Sequence, residues 1–271
     1  KIITTTNVQT ISTIYAGRLE EIFVKEGDAV KQGDVLFKMS SEDSKSEFEK
    51  KQLEKLSSQA KINRLTAEAN MQDILIDQNI IEKHPSLMNN EIMLFESNKS
   101  KLDTSIKILK EQIKQKENEL KENEEKLIIS KNNHLLLAKE IDIKKTLVSD
   151  RIISEVDFLQ LKRRYNDADL DLKKTITTIP SIKSSIKELY ENIEDAKEKY
   201  KNDAKNELVN VYAELQKVEE EINLLKDKIE NSTIKAPNNG IVNVITVKTK
   251  GEAISPGKIL MEINIGIMPQ G

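Results

Sequence analysis

The chain has 271 residues, of which 37% are hydrophobic, 33% charged and 4% aromatic with no Trp, a composition that argues against a large globular core and for long helices or coiled coil. Its net charge of -3 comes from 43 basic and 46 acidic residues interleaved along the chain, which gives no basis for nucleic-acid binding. Cysteine is absent, so disulfides, cysteine metal sites and thiol catalysis are excluded, and no apolar run of about 18 residues is present to span a membrane.

Residues 1–40 read as short strands. The chain opens on a strand-like run, Ile2 to Thr6, without a Met or a signal peptide, and reads as an excised fragment that lacks its membrane anchor. Val8, Ile11, Ile14, Leu19, Ile22, Val24, Val30, Val35, Leu36 and Phe37 then fall between turn signals at Gly17, Gly27-Asp28 and Gly33-Asp34.

Residues 41–231 contain no Gly and only two prolines, Pro85 and Pro180, so this stretch is helix-permissive throughout. Ser40, Ser41 and Asp43 offer caps for a first helix over about 41–82, ended by His84-Pro85 because a residue before proline avoids the helical region. A second helix is expected over about 90–149. A break at Asp150-Arg151-Ile152-Ile153 follows, and Ser154 caps a third helix over 154–230. In the third helix Phe158, Leu161, Tyr165, Ala168, Leu172, Ile176 and Ile179 begin a row spaced alternately by three and four, the pattern of a coiled-coil seam. Pro180 is expected to kink it. In the second helix Ile106, Ile113, Leu120, Leu127, His134, Ile141 and Val148 repeat every seven residues. One narrow seam per helix and a short turn at 150–154 predict antiparallel pairing. At about 1.5 Å per residue the third helix would be roughly 110 Å long, more than a globular core needs. The path of the first helix is left open, a third strand of the bundle being one solution.

Residues 232–271 return to strand language with Pro237, Gly240, Gly251, Pro256, Gly257 and Gly266. They repeat the opening. Gly17-Arg18-Leu19, Gly27-Asp28-Ala29-Val30 and Gly33-Asp34-Val35-Leu36 correspond to Gly240-Ile241-Val242, Gly251-Glu252-Ala253-Ile254 and Gly257-Lys258-Ile259-Leu260, at offsets of 223, 224 and 224. Such half-motifs are the halves of a biotinyl/lipoyl-like β-sandwich related by a pseudo-twofold axis. The expected architecture is α+β and elongated. Residues 1–40 and 232–271 form a split lipoyl-like sandwich, and a long antiparallel coiled-coil hairpin, 41–231, is inserted between its halves.

The segment from Gly17 to Leu36, the segment from Thr233 through Ala236-Pro237 to Val242, and the helical insertion between them resemble the HlyD-like membrane-fusion, or periplasmic adaptor, family over nearly the whole chain. The turn also resembles that family's hairpin tip. Leu147, Ile153 and Ser154 match its pattern, while Ile143 and Lys144 stand where the family has Arg and Leu, leaving Lys144 or Arg151 to supply the positive charge.

The resemblance implies a non-enzymatic adaptor without cofactor or metal. It would be located in the periplasm and anchored to the inner membrane in the full-length protein. It would form a homo-oligomer, expected as a hexamer, joining an inner-membrane ABC transporter to a TolC-like outer-membrane channel in type I protein secretion. Residues Leu147, Arg151, Ile152, Ile153 and Ser154 would form the channel-docking tip, farthest from the sandwich. A multidrug-efflux adaptor of the same family is the near alternative. A biotin or lipoyl carrier protein is a further one, but seven residues after Leu36, where a carrier presents its modified lysine, stands Asp43, and Lys45 falls in the helix start. A structural coiled coil without transport partners is the last. His84 and His134 have no ligand companions at metal-site spacing, and His134 on the apolar row reads as a polar residue that sets register.

Overall fold

The computed structural model describes residues 7–265; the run at Ile2–Thr6 and Gly266 lie outside them. In chain order the elements are β1 (Asn7–Ser12), β2 (Gly17–Ile22), β3 (Ala29–Val30), β4 (Val35–Met39), α1 (Glu42–Asn70), α2 (Gln78–Lys83), α3 (Pro85–Ser149), α4 (Glu155–Glu230), β5 (Thr233–Lys235), β6 (Gly240–Ile245), β7 (Ala253–Ile254) and β8 (Ile259–Ile265). A long helical hairpin is thus inserted between the two halves of a lipoyl-like sandwich. The chain divides into two units. The first holds the described residues up to Asn63, Ile76–Asn89 and those from Glu207 on; the second holds Arg64–Leu75 and Asn90–Asn206.

In the first unit two four-stranded sheets run in the orders β1-β8-β6-β3 and β5-β4-β2-β7. Every sheet therefore draws strands from both ends of the chain. Each position in one order is matched in the other by the strand about 223 residues away: β1 with β5, β8 with β4, β6 with β2, β3 with β7. The backbone bonds obey the same symmetry. The Gly27 amide donates to the Val242 carbonyl at 2.9 Å, and the Gly251 amide donates to Leu19 at 2.8 Å. Likewise Gly33 donates to Ala236 at 2.8 Å and Gly257 to Thr13 at 2.7 Å. Each half thus closes its turns on strands of the other. The four turn glycines adopt φ of 93, 94, 87 and 79°, a region that costs a side-chain-bearing residue dearly. Between the sheets lie Leu19, Leu36, Phe37, Val242, Leu260, Met261 and Ile263, all enclosed.

The first unit also contains the base of the helical pair. Lys51 pairs with Glu221 at 2.8 Å, Lys55 with Glu219 at 2.7 Å and Lys61 with Glu207 at 2.7 Å, so α1 runs antiparallel to the end of α4. The carboxylates of Glu221 and then Glu54 hold the Lys51 ammonium well above its ordinary range. Helix α2 starts at Asp77, whose carboxylate accepts the Asn79 and Ile80 amides at 2.9 and 3.3 Å.

In the second unit the first helix does not reach 82 as expected. It ends at Asn70 because Met71 turns left-handed, with φ of 53°. The Met71 amide donates to Glu68 and the Gln72 amide to Ala67, at 3.2 and 2.9 Å. That bond pair is the Schellman closure of a helix. The second long helix starts within the first unit, at Pro85 rather than near 90. A proline in the first helical position sacrifices no bond, since that amide has no partner inside the helix.

Beyond this joint α3 and α4 pair along one row that buries Leu102 and Ile113 against Leu161, Ala168, Ile179, Ile182 and Ile193. Ile176, expected on that row, is instead exposed and Thr175 is buried. The strict seven-residue step from Leu161 through Ala168 to Ile182 passes through 175, and the Thr175 hydroxyl satisfies itself on the Asp171 carbonyl at 2.9 Å. α4 continues helical through Pro180. The bond lost there belongs to the carbonyl of Ile176, an exposed position that water can serve.

Candidate docking site at the hairpin turn

The turn between α3 and α4 is closed by its own backbone. Arg151 adopts φ of 59° and donates its amide to Val148 at 3.0 Å; the Ile152 amide donates to Leu147 at 2.9 Å. This repeats the Schellman closure seen at Met71. Ser154 then opens α4, its hydroxyl accepting the Val156 amide at 3.2 Å and its carbonyl the Phe158 amide at 3.2 Å. These bonds fix the path of the turn and present its side chains. Leu147 and Ile153 are half-buried, Arg151 and Ser154 are exposed, and Ile152 is 66% exposed. The five expected tip residues therefore lie together on one turn. Sequence reasoning missed Val156 and Leu159, both exposed one turn into α4. Their three-residue spacing was the available signal, but they stand off the seam.

Two polar layers tie the helices together, one on the α3–α4 seam and one between α1 and α3. In the layer nearer the turn, Asp171 accepts the Ser130 hydroxyl at 2.7 Å and pairs with Lys126 at 3.0 Å. The hydroxyl first, then the ammonium, hold the Asp171 carboxyl below the usual range. One turn on, His134 stacks on Tyr165 with ring centroids 4.8 Å apart, and its Nε2, buried and without a hydrogen bond, lies 3.5 Å from Asp169. Lys173 bonds Asp169 at 2.7 Å and lowers its carboxyl. In the second layer, near the end of α1, Arg64 bonds Glu91 at 2.6 Å and Glu68 at 2.9 Å, and Asn98 donates to Glu68 at 3.0 Å. Burial opposes the charge on Arg64, but the two carboxylates outweigh it and raise the guanidinium. Such layers discriminate register more than they stabilise.

Lys45 lies in the first turn of α1, its amide bonded to the Ser41 carbonyl at 2.9 Å, and not on the β-turn where a carrier lysine is presented. Among the described residues no three His, Cys, Asp or Glu side chains converge to hold a metal ion.

Sheet order, split halves and helical insertion together define a membrane-fusion adaptor fold. The model of the family described as AprE, long alpha-helical hairpin, matches residues 44–228. The chain belongs to this family, among the HlyD-like adaptors. Among solved structures, the soluble domain of LipC, a membrane fusion protein of a type I secretion system, superposes with a TM-score of 0.86 at 19% identity, covering 95% of this chain and 99% of that one. The periplasmic adaptor protein EmrA gives 0.53 at 19% identity, covering 95% of this chain and 72% of that one. No curated protein sequence matches.

Proposed function

We propose that the chain is the periplasmic part of a type I protein-secretion adaptor. It joins an inner-membrane ABC transporter to a TolC-like outer-membrane channel, works as a homo-oligomer of six copies, and is held at the inner membrane by a segment of the full-length protein. The observation that carries the reading is the turn. Internal bonds of the Arg151, Ile152 and Val156 amides fix its path, while Ile152, Val156 and Leu159 remain exposed. Exposed aliphatic side chains on a fixed helical turn suit docking between a partner's helices. The fit to LipC, a membrane fusion protein of a type I secretion system, over nearly its whole length favours secretion over drug efflux.

The test is export by cells carrying Ser154→Asp or Ile152→Asp. Asp retains a capping oxygen at 154 and adds a charge to the contact. Loss of export, with the melting temperature and binding to the transporter unchanged, supports the reading. Normal export by both variants removes the turn as the docking site.

A further inference from the structure

Between α1 and α2 the residues 72–77 form neither helix nor strand. Among the described residues, no amide or carbonyl from Asp73 to Ile76 has a hydrogen-bond partner. The other turns differ: Gly27, Gly33, Gly251, Gly257, Arg151 and Ile152 all donate their amides to the chain. Leu75 is 77% exposed, more than any other large hydrophobic side chain among the described residues, and Ile76 beside it is exposed too. Both ends of the segment are fixed. The closure at Met71 sets where it leaves α1, Lys99 holds Asp73 at 3.1 Å, and Asp77, extended at φ -81° and ψ 110°, caps α2. An aliphatic stretch held open with its main chain unbonded is what an endoprotease receives, because such an enzyme binds its substrate as an added strand through main-chain bonds. A helix would first have to unwind.

We propose that the Ile74–Leu75 bond is a processing site, cut by an endoprotease with an apolar pocket for the residue after the bond, and that the cut chain stays assembled. Hydrolysis adds one water. Its oxygen goes to the carbonyl carbon of Ile74, the C–N bond breaks, and the pieces end in a carboxylate at 74 and an ammonium at 75. Asp73 and Leu75 are exposed, so the new ends meet water. One piece carries β1–β4 and α1, the other α2–α4 and β5–β8. In the first unit both sheets interleave the two pieces: β1 pairs with β8 and β3 with β6, β2 with β7 and β4 with β5. In the second unit Arg64 bonds Glu91 at 2.6 Å and Asn98 bonds Glu68 at 3.0 Å, again across the cut. None of these contacts uses the backbone of 72–77. The docking turn and the whole of α3 and α4 stay on one piece. Cutting thus frees the end of α1 from α2 without dismantling either unit.

Thermolysin, which takes an aliphatic side chain after the bond it cuts, is the probe. Brief digestion of the folded chain should first give the pieces 1–74 and 75–271, identified by intact mass. The two should run together in gel filtration at the position of the uncut chain and part only in denaturant. Leu75→Asp should slow the cut by more than about tenfold, since even one methylene in an apolar pocket is worth that much, and should leave the melting temperature unchanged. Leu36→Ala, which weakens the sandwich, should not alter the rate at this bond, because the cut needs no unfolding. In cells making the full-length protein with a C-terminal tag, a blot should show the shorter species, and Leu75→Asp should lack it. A first cut in a helix or another turn, or pieces that separate on cutting, would overturn the proposal. So would an unchanged rate for Leu75→Asp, a rate that follows overall stability, or no shorter species in cells.

Discussion

In the sandwich Leu36, Phe37, Leu260 and Met261 are shut away completely, whereas on the hairpin's contact row Leu120, Leu127 and His134 remain half-exposed. Geometry accounts for the difference. Two facing sheets wall in a layer from both sides, while two helices cover each other along a single row. The sandwich is also tied by bonds between residues more than 200 positions apart, such as Gly27 to Val242, while the hairpin is held by contacts that propagate along neighbouring turns. The sandwich is finished as it stands; the hairpin is left with surface to offer. That contrast is why the docking reading falls on the helices.

Matched truncations test the contrast most strongly. Leu36→Ala should cost roughly 2–5 kcal/mol in denaturant unfolding and the half-exposed Leu127→Ala about 1 kcal/mol. If Leu127→Ala costs as much as Leu36→Ala, the hairpin row is as fully enclosed as the sandwich and the contrast fails. Within the sandwich, the twofold-related Gly240 and Gly17 should not behave alike. A methyl on Gly240 would stand 2.5 Å from the Asn264 carbonyl oxygen, which the sheet fixes, and 2.5 Å from the Ile263 side chain. On Gly17 it would meet the tip of Met39, which can swing away. Gly240→Ala should therefore cost about 1–3 kcal/mol and Gly17→Ala distinctly less. Equal costs would mean that the two halves are packed alike.

The left-handed turns sharpen the contrast further. The sandwich uses glycine at all four, whereas the helical region places Met71 and Arg151 there, at φ of 53 and 59°. Met71→Gly and Arg151→Gly should each raise stability by about 1 kcal/mol, read as a higher melting temperature. No gain would show that contacts of these side chains offset the strain. These two positions also explain what the sequence made legible. The split halves could be read because glycine is required at 27, 33, 251 and 257, and the spacing repeats. The end of α1 could not, because Met71 is an unremarkable helix residue and the closure depends on main-chain bonds. The turn at 150–154 was legible through the break at Asp150-Arg151-Ile152-Ile153 and the Ser154 cap, not through the left-handed backbone of Arg151. Thr175 was passed over because the apolar Ile176 stood beside it and hydroxyl back-bonding leaves no mark in a hydrophobic pattern.

The smallest expected effect is a pH dependence confined to the helical region. Burial, followed by the charge of Glu68, pushes the Tyr200 phenol up to about 12 from an ordinary value of 10.0. An acid whose folded value is raised is stabilised in its neutral form. The contribution is thus fully present below pH 10 and is lost as the pH rises through about 12. Lysines also lose charge in this range, so the quantity to follow is the difference in melting temperature between the unaltered chain and Tyr200→Phe. That difference should be constant below pH 10 and move against the unaltered chain above it, because a phenolate beside Glu68 would be both desolvated and repelled, and phenylalanine cannot ionise. A difference that stays flat up to pH 12 would mean that Tyr200 is exposed in solution and that the helices near the end of α1 are looser than the Arg64 layer implies.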